Sequence, residues 1–331
     1  EGRKLAGSRE NARIFRVVPR SRSMLSRRTF LHAASGLAAL AAAPRAFAEP
    51  PPSAPAPRSL TILDLAVEGP REFGRRFTLF VPNHLVPGER VPLLVLLHGL
   101  GEVGDPRLGV YAWHERYGLG SAYDRLRIPP ILRTSKRNDV RDDQLAAINA
   151  MLVSQPFRGL AIACPYTPNV ARMPGPDNGY EAYATWLTEV VIPRARKEAP
   201  VFADPAHTYL DGCSMGGPIG LEVLLRRPDH FAAWGSVQSA FGTQRAKGFA
   251  ERLAAAAPRM ARVAGKGSMP AIHIEISEGD MFRESNLLLS HELSARGVAH
   301  DLLDLPGPHD QPWLREAGTL SMLLWHDRRL R

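Results

Sequence analysis

The stretch "HTYLDGCSMGGPIGLEVLLRRP", His207–Pro228, carries the strongest structural signal in this 331-residue chain. An apolar, β-like run ends in Gly-Cys-Ser-Met-Gly, and an amphipathic helical pattern follows it. The G-x-S-x-G pattern between a strand and a helix predicts a sharp turn that strains the backbone of Ser214 and exposes its hydroxyl. The amide of Met215 should then face a developing oxyanion, and the N-terminus of the following helix favours negative charge there.

A serine nucleophile needs a base and an acid, and candidates for both follow Ser214 in the chain. "AIHIEISEGD" predicts a strand that ends at Asp280, and "HDLLDLPGPHD" predicts a strand followed by a Gly/Pro loop that presents His309. The sequence therefore predicts Ser214 as nucleophile, His309 as base and Asp280 as the acid that orients the base. Glu278 and Asp304 are alternative acids.

The stretch "LLHGLGEVGD", Leu96–Asp105, contains G-x-G-x-x-G after an apolar run, which is one feature of a dinucleotide-binding turn. Such a turn needs a helix that opens at the glycines and an acidic residue about twenty positions further on. Here Asp-Pro-Arg and a long irregular stretch follow instead. Because a serine turn lies downstream, we expect this His-Gly turn to supply a second oxyanion amide, from Leu100 or Gly101.

The folded part alternates β-rich runs with helical patterns, which predicts an α/β fold. The first two runs are separated by few residues and should pair antiparallel, whereas the later apolar runs suit strands that are covered on both faces. The eight predicted strands are SLTILDLAVE, RRFTLFVP, PLLVLLHG, GLAIACP, HTYLDGCS, FAAWGSVQS, AIHIEISEGD and HDLLDLPG. Helices are predicted at YEAYATWLTEVVIPRARKEA, PIGLEVLLRRP, SNLLLSHELSARG and QPWLREAGTLSMLLWHD.

These motifs together resemble the α/β-hydrolase superfamily, and within it the esterase group that includes esterase D and feruloyl-esterase-like proteins. The resemblance covers most of the chain from Leu60 onwards, and it implies a mostly parallel sheet of about eight strands flanked by helices. It also implies the same nucleophile, base and acid as the residues themselves do. The histidine loop departs from the group, since it has "GPHDQPW" with Trp313 displaced where the group often has "GGHDW".

The resemblance also bears on the two cysteines, Cys164 and Cys213. In this group the third strand lies beside the fifth, and the fourth lies beyond the third. The two cysteines would then be two strand spacings apart, roughly 9–10 Å, which exceeds the reach of a disulfide. We therefore expect two free, buried thiols.

An insertion after the third strand, residues 101–158, is long for a connection and suggests a functional segment or a small subdomain. It contains the aromatic residues Tyr111, Trp113, Tyr117 and Tyr123. Tyr111 and Trp113 are candidates for stacking on a sugar or a phenolic acid. The alternative is that these aromatic residues form the core of a small lid.

The N-terminal region carries the pattern of an export signal. Residues 1–48 hold "SRRTFLH", a short Ala/Leu segment and "AFA", which together predict a twin-arginine leader cleaved after Ala48, with residues 1–23 upstream of the true start. The apolar segment is too short to span a bilayer. Residues 49–59 form a Pro-rich linker, and the hydrolase domain is expected over 60–331. The predicted location is periplasmic or extracellular.

The charge distribution argues against a nucleic-acid partner. Of the formal net charge of +9, residues 1–48 carry +8, so the folded part is nearly neutral. No metal-ligand spacing stands out, and no cofactor is expected. The sequence predicts an exported serine esterase that acts on a small-molecule or polysaccharide-linked ester. An acyltransferase, a serine peptidase with the same triad, and a non-catalytic binding protein remain as alternatives.

Overall fold

The computed structural model describes residues 58–263 and 269–330, whose centre is one eight-stranded sheet. The strands lie in the order β1-β2-β4-β3-β5-β6-β7-β8. Pairing is antiparallel between β1 and β2 and between β2 and β4, and parallel from β4 to β8. The strands are β1 Leu60–Ala66, β2 Arg76–Pro82, β3 Leu93–Leu97, β4 Ala161–Pro165, β5 Thr208–Gly212, β6 Ala233–Val237, β7 Ala271–Gly279 and β8 Asp301–Pro308. All eight predicted strands and the antiparallel first pair are confirmed.

Both faces of the sheet are covered, as the continuous apolar strands require. In β3, alternate residues point to opposite faces. Leu93, Val95 and Leu97 join one hydrophobic cluster, and Leu94 and Leu96 join the other. Helical residues on each side of the sheet complete both clusters.

All four stretches predicted as helices are helical in the structure. Two of the predicted helices contain an internal π-helical segment, at Leu187–Val191 and Leu314–Gly318. The helix between β6 and β7 and the three helices of the insertion were not predicted from the sequence. The bounds are α1 Pro106–Glu115, α2 Leu119–Arg127, α3 Asp142–Ser154, α4 Pro176–Trp186, α5 Ile192–Glu198, α6 Gly216–Arg226, α7 Thr243–Val263, α8 Arg283–Ala295, α9 Gln311–Trp313 and α10 Thr319–Asp327.

The insertion forms α1, α2 and α3, which pack into the second hydrophobic cluster. One of its contacts with the C-terminal part of the chain is made by Glu316, which is buried. The Glu316 carboxylate accepts hydrogen bonds from Arg125 Nη2 at 3.2 Å and from the backbone amide of Thr134 at 3.1 Å. The insertion therefore packs against the rest of the fold rather than forming a separate unit.

The strand order places β3 between β4 and β5, as the resemblance implied. Cys164 and Cys213 are buried and unpaired, so the expectation of two free thiols is confirmed. The predicted leader, residues 1–48, and nearly all of the Pro-rich linker lie outside the described residues. Within the part of the chain that the structure describes, no helix is long and apolar enough to cross a membrane.

Candidate active site

The turn between β5 and α6 places Ser214 in the left-handed region, with φ of 50°. A Cβ on Gly212 would lie 2.5 Å from the carbonyl carbon of Gly216, and one on Gly216 would lie 2.4 Å from the carbonyl oxygen of Leu97. Glycine is required at both positions because backbone fills the space that a side chain would take. The sharp turn expected from G-x-S-x-G is present.

The histidine loop and the end of β7 bring His309 and Asp280 together. The Nδ1 group of His309 donates a hydrogen bond of 2.8 Å to Oδ1 of Asp280. The same carboxylate oxygen accepts the backbone amide of Phe282 at 2.9 Å, which holds it in place. The Asp280 side chain has no exposed area, whereas His309 keeps about a fifth of its side chain accessible.

The alternative acids lie elsewhere. Asp304, on β8, pairs with Arg283 at 2.6 Å and is about one-third exposed. Glu278 is exposed near the end of β7. Of the three acids considered, Asp280 is the one that contacts the histidine.

Trp313, the displaced tryptophan of the histidine loop, packs against that loop. Trp313 is fully buried, and its indole Nε1 donates a hydrogen bond of 2.8 Å to the carbonyl of Pro306. Gly307 between them has φ of +113°, and a Cβ there would lie 2.4 Å from the indole ring. The Trp313 ring therefore packs against the loop at Gly307, which lies two residues before His309.

The His-Gly turn after β3 orients the peptide between Gly99 and Leu100. The Nδ1 group of the buried His98 donates to the carbonyl of Gly99 at 2.8 Å, and its Nε2 accepts the amide of Thr167 at 2.8 Å. Because a trans peptide points its N–H opposite to its carbonyl, the Leu100 amide points away from His98. Burial lowers the pKa of His98 to about 4, so the ring stays neutral and can accept the Thr167 amide.

Met215, the other predicted oxyanion donor, precedes the first residue of α6. On either side of it, the Ser214 amide donates to the Val237 carbonyl at 2.9 Å and the Gly216 amide donates to the Cys213 carbonyl at 2.7 Å. The first amides of a helix have no carbonyl within the helix to bind. The Met215 amide thus belongs to the set of donors that a helix N-terminus offers to an anion.

Ser214, His309 and Leu100 line one open pocket of about 190 Å³. Its other lining residues come from the His-Gly turn, the insertion, the end of β6 and the histidine loop. They include Gly99, Gly101, Glu102, Tyr117, Cys213, Val237, Gln238, Asp310, Gln311 and Leu314. The pocket therefore combines the predicted nucleophile, base and one oxyanion donor.

Gln238 is a pocket residue that the sequence reasoning missed. It is buried and has φ of 46°, an uncommon backbone conformation for a residue with a side chain. Its side-chain Nε2 donates to Ser277 Oγ at 2.5 Å and to the carbonyl of Pro308 at 3.0 Å. Gln238 thereby joins the end of β6 to β7 and to the residue that precedes His309.

A second missed contact ties the insertion to the histidine loop. Arg137 donates to both carboxylate oxygens of Asp310, at 2.9 and 3.1 Å, and its Nε donates to the buried Asp139 at 2.7 Å. Asp310 directly follows His309 and also accepts the amide of Trp313 at 2.8 Å. A bidentate pair of this kind fixes direction as well as distance.

The two aromatic residues considered for substrate binding are not among the pocket residues. Trp113 is fully buried in the second hydrophobic cluster and meets the ring of Tyr117 edge to face. Tyr111 donates a hydrogen bond of 2.9 Å to Asp64 on β1. Of the four aromatic residues of the insertion, Tyr117 is the one that lines the pocket.

The sheet order, the position of the serine turn and the helices on both faces define the α/β-hydrolase fold. Solved structures of several esterases and hydrolases are similar to the chain. A ferulic acid esterase aligns with a TM-score of 0.58 and 17% identity over 82% of this chain and 99% of its own. Fluorophosphonate-binding serine hydrolase F of Staphylococcus aureus aligns at 0.53 and 17% over 81% and 98%. An S-formylglutathione hydrolase of the same organism aligns at 0.52 and 18% over 82% and 98%.

These similarities confirm the fold that the sequence resemblance implied. No protein-family model matches the sequence, and no curated protein matches it. Within the described ranges, no group of three or more His, Cys, Asp or Glu side chains is placed to hold a metal ion.

Proposed function

We propose that the protein is a serine carboxylic-ester hydrolase with Ser214 as nucleophile, His309 as base and Asp280 as acid. The observation that carries the proposal is the 2.8 Å bond between His309 and Asp280 at a pocket that the strained Ser214 also lines. The known proteins of similar fold support it, because one is described as a ferulic acid esterase and another as a serine hydrolase.

The proposed reaction is a two-step acyl transfer. His309 takes the proton of Ser214 as the serine oxygen bonds to the ester carbonyl carbon, and the amides of Met215 and Leu100 stabilise the oxyanion. The tetrahedral intermediate then expels the alcohol, which receives the proton from His309. Water attacks the acyl-enzyme in the same way, releasing the acid and free Ser214. Removing one oxyanion donor costs about 3–4 kcal/mol of transition-state stabilisation.

The first test is hydrolysis of short and medium p-nitrophenyl esters by the purified protein and by Ser214→Ala. We expect turnover that is lost in the variant, and labelling of Ser214 by a neutral fluorophosphonate. A matched pair of substitutions tests the acid. Asp280→Asn should lower kcat by about 10⁴-fold, as loss of the orienting carboxylate does in serine triads, whereas Asp304→Asn should stay close to wild type. Turnover that persists in Ser214→Ala would overturn the proposal.

We also propose that the protein is exported and acts on esters outside the cytoplasm. The support is the sequence of residues 1–48, with its adjacent Arg27 and Arg28 and the small residues before Glu49. A fusion of residues 1–57 to a folded reporter should be exported, and replacement of both arginines by lysine should retain it inside the cell. Equal export of both fusions would exclude the twin-arginine route.

A further inference from the structure

Glu102 is a buried acidic residue in the pocket wall that the proposed triad does not use. It ends the short 3₁₀ helix Leu100–Glu102 and is 1% exposed. A Cβ placed on Gly99 would lie 3.6 Å from Ser214 Cβ and 3.7 Å from Glu102 Oε2. Glu102 Oε2 and the Cβ of Ser214 therefore each lie within van der Waals reach of the position that a Gly99 side chain would take.

Neutral donors hold this carboxylate in position. The hydroxyl of Tyr117 donates to Oε2, and the side-chain amide of Gln311 donates to Oε1 at 3.3 Å. The Tyr117 hydroxyl also accepts the amide of Gly99 at 3.3 Å. These hydrogen bonds fix the direction of the carboxylate but leave its negative charge in place.

The charges around the pocket are not balanced. Among the described residues that line it, the acidic side chains are Glu102 and Asp310, and there is no Lys or Arg. Asp310 is paired at hydrogen-bond distance with Arg137. Glu102 has Arg116 as its cation, but the closest atoms are 3.9 Å apart, which is beyond a hydrogen bond. The wall beside Ser214 thus keeps an excess of negative charge.

The neighbouring side chains of Cys213 and Tyr117 do not offset that charge. Burial raises the pKa of Cys213 well above its usual value, and the charge of Glu102 contributes to that rise. Burial likewise raises the pKa of Tyr117, with contributions from Cys213 and Glu102. Both side chains remain neutral at physiological pH.

We propose that Glu102 sets the charge preference of the pocket, so that neutral and cationic esters are hydrolysed in preference to esters whose acyl part carries an anionic group. This inference rests on the proposed esterase function. Two unit charges about 7 Å apart interact enough, at an effective dielectric of about 20, to change kcat/KM by about fiftyfold. Because Arg116 offsets part of the charge, we expect about tenfold discrimination against the anionic ester.

The test uses three p-nitrophenyl esters of similar acyl length, namely pentanoate (neutral), glutarate (anionic) and 4-(trimethylammonio)butanoate (cationic). For the full-length wild-type protein, kcat/KM for glutarate should be about tenfold below that for pentanoate, with the cationic ester at or above the neutral one. Glu102→Gln keeps the size of the side chain and an acceptor for Tyr117, and it should bring the glutarate and pentanoate values to within about threefold.

Tyr117→Phe is the matched control, since it removes the hydrogen bonds of the Gly99 turn without changing the charge. It should lower kcat/KM for the three esters by a common factor and leave their ratios unchanged. If Glu102→Gln also lowers all three by a common factor, Glu102 only supports the turn, and the proposal is overturned.

The wild-type ratios test the proposal without any variant. Equal kcat/KM for glutarate and pentanoate would refute the charge preference while leaving the esterase function intact. If the protein hydrolysed none of the three esters and a neutral fluorophosphonate did not label Ser214, the charge preference and the esterase function would both be overturned.

Discussion

Gln238 should position His309, the proposed base, and Gln238→Met tests this. Methionine keeps the length of the side chain but removes the Nε2 group, which donates to Ser277 Oγ and to the Pro308 carbonyl. Each hydrogen bond contributes about 1 kcal/mol, and a buried carbonyl left without a donor costs about 1–3 kcal/mol. We therefore expect a loss of about 2–3 kcal/mol in the free energy of unfolding.

Activity should fall as well as stability, because Pro308 directly precedes His309. A shift of about 1 Å in a catalytic group can cost about 100-fold in rate, so kcat for p-nitrophenyl butyrate should fall ten- to hundredfold with little change in KM. Ser277→Ala is the control, since it removes one partner of Gln238 but keeps the bond to Pro308, and its kcat should stay within about threefold of wild type. A folded Gln238→Met variant with wild-type kcat would refute the positioning role.

Three further predictions concern the turns around the site. Gly216→Ala should destabilise the protein and abolish fluorophosphonate labelling, since its Cβ would lie 2.4 Å from the Leu97 carbonyl oxygen; a stable, fully labelled variant would contradict this. Arg137→Ala should lower kcat severalfold by freeing the loop at Asp310, with about 2 kcal/mol lost in denaturant unfolding; unchanged kcat would show that the loop holds without it. His98 is neutral in the fold with a pKa of about 4, against 6.5 unfolded. Between these pH values the unfolded state binds one more proton at His98 than the fold does, so the free energy of unfolding falls by about 3 kcal/mol as the pH drops from 6.5 to 4. The free energy of unfolding should therefore depend less steeply on pH in His98→Asn than in the wild type. Identical slopes would exclude His98 as the source.

The strands and the proposed triad could be predicted because each has a local signal. Short runs rich in apolar residues mark strands that are covered on both faces, and they recur among β3 to β7, most clearly as LLVLL in β3. Asp280 and His309 directly follow β7 and β8, and Ser214 lies two residues after the end of β5. The carboxyl ends of parallel strands meet at one edge of the sheet. The order of the strands itself has no signal in their spacing and came from the family resemblance.

The supporting residues could not be predicted because single polar side chains carry no spacing pattern. Gln238 also lies one position after a strand, which is the signal that identified Asp280, but its role depends on reaching Pro308 from a different part of the chain. Arg137 meets Asp310 across 173 residues. Aromatic content likewise does not distinguish a pocket wall from a core, as the burial of Trp113 shows.

Backbone strain in this protein is concentrated where the proposed chemistry takes place. Two of the three described non-glycine residues with positive φ, Ser214 and Gln238, line the pocket. Such conformations cost of order 1–3 kcal/mol each and persist only where surrounding contacts enforce them. The two strained segments hold each other: the Ser214 amide donates to the Val237 carbonyl, and the Ala240 amide donates to the Ser214 carbonyl, both at 2.9 Å. Since Gln238 lies between those two contacts and also binds Pro308, the nucleophile and the histidine loop share one hydrogen-bonded support, and a change at Gln238 should disturb both.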